Sequence, residues 1–279
     1  MLERELTEKV TKIISDLFKI LCKNERFLNP KEVQYFILNF ILKMFAQKYQ
    51  EVNYFQNKLF SKVKFIHLNQ PELEILDHAS RQDWSKVKPV ILANIFEISS
   101  NINERHSHGM HYTCEADIMK IVRPTISRFW EEKINQANTL KELTQLKLEL
   151  ANYKVLDPAC GSGNFLYVAY QELKRIEQLL FNKINEKNKG KSQQLSMAIV
   201  TPAQFFGMDI NPFAVELAKV TLMIARKVAI DRLNLTEPAL PLDTLDSNII
   251  CQDALFYDWI QADAIIGNPP FLGGARIRS

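Results

Sequence analysis

The sequence lacks a long apolar run, and its N-terminus lacks a secretion signal. The longest apolar stretch, residues 36–46, is interrupted by Asn39 and Lys43 and is too short to cross a bilayer. The first residues, Met1-Leu2-Glu3-Arg4-Glu5, lack the basic region followed by an apolar region that marks a signal peptide. We therefore expect a cytoplasmic protein without a membrane partner.

Cysteines and net charge are also scarce. The four cysteines form no C-x-x-C pair, which argues against a disulfide framework or a zinc ribbon and predicts reduced, buried thiols; they are Cys22, Cys114, Cys160 and Cys251. A net charge of +3 gives no compositional sign of a nucleic-acid partner. With 279 residues and 47% hydrophobic content, the chain can bury one large core or two modest ones.

Helical periodicity dominates the first half of the chain. Apolar residues recur at helical spacing from Leu2 to about Phe60, with a break at Asn29-Pro30, where proline disfavours helix in the preceding residue. Further helices are predicted by the same pattern; they span residues 84–99, 115–130 and 139–150. The last of these is rich in Lys, Glu and Leu, which indicates an amphipathic surface arm.

The pattern changes at Tyr153, where strands begin to alternate with helices. The predicted strands are residues 154–157, 205–209, 249–252 and 262–267, and the predicted helices are 164–180 and 212–230. Asn211 is the expected cap of the second helix, and the polar run 182–196 is expected to be a loop. This alternation predicts an α/β fold with a parallel sheet.

A glycine-rich turn follows the first predicted strand and leads into a helix. It reads Asp157-Pro158-Ala159-Cys160-Gly161-Ser162-Gly163-Asn164-Phe165. In this position a doubly wound fold approaches its ligand with backbone amides, and glycines allow a close approach. A dinucleotide fingerprint would place a third glycine where this sequence has Leu166, so the turn lacks the full nicotinamide-type signature.

Two further carboxylates end the next strands. Asp209, followed by Ile210, can accept both hydroxyls of a ribose, and Asp253, followed by Ala254, can accept an exocyclic amino group. Any one of these aspartates, taken alone, can equally be a helix cap or a turn residue. Their joint placement with Asp157 at three strand ends favours a nucleoside-binding crevice.

The last predicted strand runs into Asn268-Pro269-Pro270-Phe271. The prolines stiffen the turn, while the Asn268 amide oxygen and the Pro269 carbonyl can accept both hydrogens of an exocyclic amine. Phe271 can stack on the base. Such acceptors stabilise positive charge that develops on an attacking nitrogen without a general base. A plain loop turn is the alternative interpretation.

Together these segments resemble the ordered motifs of γ-class adenine-N6 DNA methyltransferases, in particular those of large type II restriction-modification and phage-defence enzymes. The segment Gly109-Met110-His111-Tyr112-Thr113-Cys114-Glu115 resembles their G-x-H-Y-T motif. The resemblance implies a Rossmann-like sheet that binds S-adenosyl-L-methionine. His111, Tyr112 and Thr113 would help enclose the methionine part of the cofactor. The glycine turn would hold it through Asp157, Pro158, Ala159, Cys160, Gly161, Gly163, Asn164 and Phe165.

The same resemblance assigns the rest of the site. Asp209 with Ile210 would bind the ribose, and Asp253 with Ala254 the adenine of the cofactor. Asn268, Pro269, Pro270 and Phe271 would hold a target adenine flipped out of double-stranded DNA. The expected domains are a helical connector (1–105), a lid motif with a helical arm (106–150) and a partial methyltransferase domain of about four strands (151–279).

Two departures from the family shape these expectations. No nuclease-like cluster of acidic residues and lysine precedes the helices, so we expect no DNA cleavage. The sequence ends at Ser279, so a target-recognition region is expected to be separate or missing, leaving residues 262–266 as an apolar sheet edge. The expected activity is adenine methylation, possessed by this chain alone or only with a partner.

Three alternatives remain open from the sequence. One is a protein-glutamine N5-methyltransferase, which uses a related Asn-Pro-Pro turn; the upstream His-Tyr-Thr segment and Phe271 favour DNA. Another is a non-catalytic remnant or one half of a split enzyme. A metal site at His106, His108 and His111 is disfavoured because no cysteine or carboxylate cluster accompanies them, so no metal is expected.

Overall fold

The computed structural model describes residues 2–23, 30–49, 67–92, 95, 115–188, 198–233 and 245–269. The chain divides into two compact units, one formed by residues 1–112 with 270–279 and the other by residues 113–269. The second unit carries the sheet and the acidic strand ends.

Three helices build the described part of the first unit. They are α1 (Leu2–Lys23), α2 (Pro30–Tyr49) and α3 (Gln70–Ser80), and α1 packs against the other two. The predicted helix boundary at Asn29-Pro30 is confirmed, since α2 begins at Pro30. Trp84 meets the rings of Phe40 and Phe45 edge-on, with centroids 6.1 and 5.5 Å away, and so joins the following turns to α2.

Helix α3 was not predicted, although its start carries a reciprocal cap. The Glu72 amide donates to Asn69 Oδ1 at 3.0 Å, and the Asn69 amide donates to Glu72 Oε2 at 2.8 Å. The predicted helix 84–99 is wrong at its start, because residues 84–89 form turns and helix is described at 90–92 and 95. The Ser85 amide donates to Asp83 Oδ1, which favours a turn there.

Helices precede the sheet in the second unit as well. α4 (Glu115–Val122) continues through a π-helical turn, Arg123–Ser127, into α5 (Arg128–Gln136). The helix predicted over residues 115–130 is thus confirmed and extends six residues further. α6 (Leu140–Asn152) starts at a reciprocal cap between Thr139 and Glu142. Its buried leucines face the next helix of the chain, which confirms the amphipathic pattern.

The sheet has four parallel strands, as predicted. They are β1 (Val155–Asp157), β2 (Phe205–Asp209), β3 (Ile249–Cys251) and β4 (Ala264–Ile265), in the order β3-β2-β1-β4. α7 (Asn164–Lys187) connects β1 to β2, and α8 (Pro212–Leu233) connects β2 to β3. The strand order reverses between β1 and β4, which is where open α/β sheets bind ligands.

Several element bounds differ from the prediction. The polar run 182–196 was expected to be a loop, which is wrong for its first part: α7 continues to Lys187, where the Lys183 ammonium donates to the carbonyls of Ile134 and Asn135 at the end of α5. Residues 189–196 of this run lie outside the described residues. Strand β4 has only two residues. Among the described residues no strand pairs with its outer edge, where the Ile265 side chain is 53% exposed, while Ala264 and Ile266 are buried.

Two general features concern the described ranges. None of the helices there combines the length and hydrophobicity needed to cross a membrane. The same ranges contain no group of three or more His, Cys, Asp or Glu side chains suited to hold a metal ion.

Cys22, Cys160 and Cys251 are free thiols, but Cys251 is exposed and Cys22 half-buried, so the prediction of buried thiols is wrong for these two.

Candidate functional site

The glycine turn is held in place by backbone hydrogen bonds to β2 and within itself. The Cys160 amide donates to the Met208 carbonyl, and the Gly163 amide donates to the Cys160 carbonyl, both at 2.8 Å. Gly161 and Gly163 have φ angles of +51° and +85°, which favour glycine. The turn therefore needs both glycines for its backbone conformation.

The two glycines differ in what surrounds them. A Cβ on Gly163 would lie 2.9 Å from the Cα of Ala218, so α8 passes directly against the turn. A Cβ on Gly161 would meet no atom within 4 Å. Gly163 thus allows α8 to pack closely against the turn. Gly161 borders open space where a ligand can approach the backbone.

Asp209 ties this turn to the end of β2. Its Oδ2 accepts the Gly161 amide at 3.0 Å, and its Oδ1 accepts the Asn211 amide at 2.8 Å. Each carboxylate oxygen has a second lone pair, and the residue is half-buried. The carboxylate can therefore shape the turn and still accept ligand hydroxyls. Asn211 caps α8 as predicted, since its Oδ1 accepts the Phe213 amide at 2.9 Å.

Asp157 ends β1 and is fully buried. Its Oδ1 accepts the Ala159 amide at 3.1 Å, whereas the buried Oδ2 has no hydrogen-bond partner. Burial raises the pKa of Asp157 from 3.8 to about 7; the negative charge of Asp209 adds to the rise, and the Ala159 hydrogen bond opposes it. The carboxyl therefore changes its charge near neutral pH.

Cys160 and its neighbours in the glycine turn differ in how far they are buried. Burial, together with the charges of Asp157 and Asp209, raises the pKa of the Cys160 thiol. Its sulfur lies under β2, where a Cβ on Gly207 would come within 2.9 Å of it. This position indicates that Cys160 supports the turn. Pro158, Ala159 and Asn164 are half-buried, and Phe165 is buried in the first turn of α7.

Asp253 follows β3 and is exposed. Its Oδ1 accepts the Leu255 amide at 2.9 Å, and its carbonyl accepts the Phe256 amide at 3.1 Å, so it starts a tight turn. The Gln252 amide donates to the Asp209 carbonyl at 3.1 Å, which places the ends of β2 and β3 side by side. Ile210 is 52% exposed and Ala254 half-buried at this edge.

The catalytic-motif segment begins directly after β4. Asn268 and Pro269 are exposed, and Gly267 before them has a φ of +148°. A Cβ on Gly267 would lie 2.6 Å from Asp157 Oδ1, so a side chain there would displace this carboxylate, and the positive φ also favours glycine. The motif therefore starts against Asp157. Sequence reasoning missed Gly267, and its place immediately before Asn268 was the available signal.

The described geometry brings four strand ends to one edge of the sheet. Asp209 accepts the Gly161 amide and adds to the rise in the pKa of Asp157. Asp253 follows Gln252, whose amide donates to the Asp209 carbonyl, and Gly267, just before Asn268, lies against Asp157. The other predicted site residues lie outside the described residues; they are His111, Tyr112, Thr113, Pro270 and Phe271. This edge of the sheet offers carboxylate oxygens that accept hydrogen bonds, and an open stretch of turn backbone at Gly161.

Comparison with known proteins decides the family. Residues 131–279, more than half of the chain, match the family described as MmeI, DNA-methyltransferase domain. The chain belongs to this family. The resemblance drawn from the motifs is thereby confirmed at the level of the family.

Relatives of the MmeI methyltransferase family support the assignment. The chain is 30% identical over 297 residues to DNA methyltransferase A of Bacillus subtilis, covering 98% of this chain and 31% of that protein. It is 28% identical to a putative type II restriction enzyme and methyltransferase of Methanocaldococcus jannaschii, covering 63% of this chain and 17% of that protein. The chain thus spans less than a third of the length of either relative.

A further relative matches a shorter segment of the chain, and one solved structure has a similar fold. A 76-residue segment is 36% identical to the adenine-specific methyltransferase PglX of Streptomyces coelicolor, covering 27% of this chain and 6% of that protein. The fold matches a structure of the type IIL restriction-modification enzyme MmeI in complex with DNA, with a TM-score of 0.73 and 22% identity. That match covers 96% of this chain and 43% of the MmeI chain, and confirms the predicted fold.

Proposed function

We propose that this chain forms the cofactor-binding and amine-positioning part of a site-specific DNA adenine-N6 methyltransferase in a restriction-modification or phage-defence system. One observation carries the proposal: the glycine turn, the carboxylates of Asp157 and Asp209, and the start of the Asn268-Pro269 segment meet at one sheet edge. Family membership and the relative named an adenine-specific methyltransferase support the same reaction.

The proposed cofactor is S-adenosyl-L-methionine, and two features of the site suit it. Gly161 borders open space beside the turn, and Asp157 Oδ2 is a buried acceptor without a donor. The methionine part would lie along residues 157–165, with His111, Tyr112 and Thr113 proposed to enclose it. Asp209 and Ile210 would hold the ribose, and Asp253 and Ala254 the adenine. When bound, the cofactor supplies an electrophilic methyl group.

The proposed role of the last segment is to orient the target amine. The Asn268 amide oxygen and the Pro269 carbonyl would each accept one hydrogen of the amine, which aims the nitrogen lone pair at the methyl group. These acceptors stabilise the positive charge that grows on nitrogen as the new bond forms. Pro270 would stiffen the turn and Phe271 would stack on the base. The target adenine must leave the duplex to reach them.

Target recognition is proposed to come from another region or another chain. The chain spans 31% of the length of the Bacillus subtilis relative and 43% of the MmeI chain. We propose that a target-recognition region, joined to this chain or separate from it, binds double-stranded DNA and presents the adenine. The chain's own residues would then supply cofactor binding and amine alignment in the cytoplasm.

A transfer assay tests this function. Purified chain is incubated with double-stranded DNA and methyl-labelled S-adenosyl-L-methionine, with and without the part of the Bacillus subtilis relative that lies outside the match, supplied as a separate polypeptide. We expect label in N6-methyladenine, reduced about a hundredfold in Asn268→Ala because one acceptor of the amine is lost. Ile265→Val, an exposed conservative change on β4, serves as the control and should retain wild-type transfer.

The alternatives give different results in the same assay. Label in glutamine of added protein, and none in DNA, would indicate a glutamine methyltransferase. Cofactor binding with no label in either substrate would indicate a non-catalytic remnant. Equal adenine labelling by wild type and Asn268→Ala would contradict the role given to the Asn268-Pro269 segment.

A further inference from the structure

The carboxyl group of Asp157 is buried, and one of its two oxygens has no hydrogen-bond partner. No part of the residue is exposed, Oδ1 accepts a single amide from Ala159, and Oδ2 has no partner. A buried carboxylate is stabilised by several donors or by a nearby cation, and a single amide is weak compensation. The surroundings therefore favour the neutral acid when no ligand is present.

The groups that face Asp157 do not offset this preference. Asp209 at the end of β2 is acidic and disfavours a second negative charge, and the Cys160 thiol in the turn is uncharged because its pKa is raised. β4 contributes Gly267, which has no side chain, and α7 begins with the uncharged Asn164. No basic side chain in the described part of the chain contributes to the pKa of Asp157.

Gly267 also limits how Asp157 can relax. Its backbone lies so close that an added Cβ would be 2.6 Å from Oδ1, so the carboxyl has little room to turn on that side. The Ala159 amide, at the start of the glycine turn, also holds Oδ1. A ligand in the crevice therefore meets a fixed carboxyl whose other oxygen needs a donor or a positive charge.

We propose that Asp157 carries a proton in the ligand-free protein and releases it when a cationic cofactor binds beside Oδ2. This inference rests on the proposed function, because S-adenosyl-L-methionine brings a sulfonium and an ammonium group to the turn. The O–H bond of the acid breaks, its electron pair stays on Oδ2, and the proton passes to the buffer. No other reactant is needed.

The coupling makes cofactor affinity depend on pH in a defined direction. Burial raises the pKa of Asp157 to about 7, so below neutrality the ligand must displace a proton in order to bind. The dissociation constant should rise roughly tenfold for each pH unit below 7 and change little above it. An exposed carboxylate with an ordinary pKa would give no such dependence between pH 5.5 and 7.

Titration calorimetry with S-adenosyl-L-methionine in two buffers of different ionisation enthalpy measures the released proton. At pH 6.5 we expect roughly 0.8 proton released per cofactor bound, as a group with a pKa of about 7 requires. Asp157→Asn should bind more weakly and release none. Asp231→Asn is the matched control, because the same change at an exposed carboxyl near the end of α8, outside the proposed site, should leave the proton release intact.

Cys160→Ala excludes the neighbouring thiol as the source of the proton, since we expect unchanged release from that variant. The inference is overturned if wild-type protein binds with equal heat in both buffers, or if Asp157→Asn releases as many protons as wild type. Either result leaves the cofactor assignment standing. Failure of the folded wild-type chain to bind the cofactor at all would instead overturn the proposed function, and the inference with it.

Discussion

Replacing Glu177 by alanine should destabilise the protein by about 3–5 kcal/mol, because the change leaves a buried lysine without its carboxylate. Lys174 and Glu177 lie one turn apart in α7, both side chains are 1% exposed, and their Nζ and Oε2 atoms are 2.8 Å apart. Glu177 Oε1 also accepts the backbone amides of Ile199 and Val200. The alanine variant thus loses the ion pair and the acceptor for the segment that leads into β2.

Urea unfolding of wild type and variants measures this loss. Glu186→Ala is the matched control in the same helix, where the side chain is exposed, and it should stay within about 0.5 kcal/mol of wild type. Lys174→Met combined with Glu177→Gln should recover much of the stability, since the amide oxygen can still accept the backbone donors and no charge stays buried. A loss below about 1 kcal/mol in Glu177→Ala would show that the pair contributes little.

The Asp157→Asn variant should remove a large part of the pH dependence of stability in the ligand-free protein. The folded pKa of about 7 lies above the ordinary 3.8, so the folded state binds the proton more tightly than the unfolded state. The stability from this group is full below pH 4 and is lost as pH rises towards 7. Between pH 5 and pH 8 that loss is roughly 3 kcal/mol, because stability falls by about 1.4 kcal/mol for each of the two pH units between pH 5 and the folded pKa of about 7.

Unfolding measured at pH 5 and pH 8 tests this expectation. At pH 5 the folded acid is neutral but the unfolded carboxyl is already mostly ionised, so Asp157→Asn should exceed wild type in stability by roughly 1–2 kcal/mol. Between pH 5 and pH 8 this advantage should grow by roughly a further 3 kcal/mol, because folded wild type then holds a buried negative charge. Asp231→Asn, an exposed change near the end of α8, should keep the wild-type dependence. Parallel pH profiles for wild type and Asp157→Asn would contradict the burial argument.

The sequence predicted the sheet well because its signals are local. β2 was predicted with the bounds found, and the cap at Asn211 with Pro212 marks the start of α8 correctly. The end of α7 could not be predicted from its polar residues, because Lys183 finds its acceptors at the end of α5. Those acceptors lie far away in the sequence, so no local pattern reveals them.

The site shows the same limit. The positions of Asp157, Asp209 and Asp253 at strand ends followed from the alternation of strands and helices. The contact between Gly267 and Asp157 did not, because it depends on β4 pairing with β1. Helix α3 is a different case, since the cap formed by Asn69 and Glu72 is local and was available in the sequence. Only the long-range contacts required the three-dimensional structure.

The most direct test of the central claim is binding of methyl-labelled S-adenosyl-L-methionine to the purified chain by equilibrium dialysis at pH 8. We expect saturable binding by wild type, and binding about 10- to 100-fold weaker in Asp209→Asn and Asp209→Ala, which lose acceptors for the ribose and for the Gly161 amide. Asp231→Ala should bind as wild type does, and thermal unfolding confirms that each variant is folded. Wild-type protein that is folded but does not bind, or undiminished binding by both Asp209 variants, would contradict the cofactor site described above.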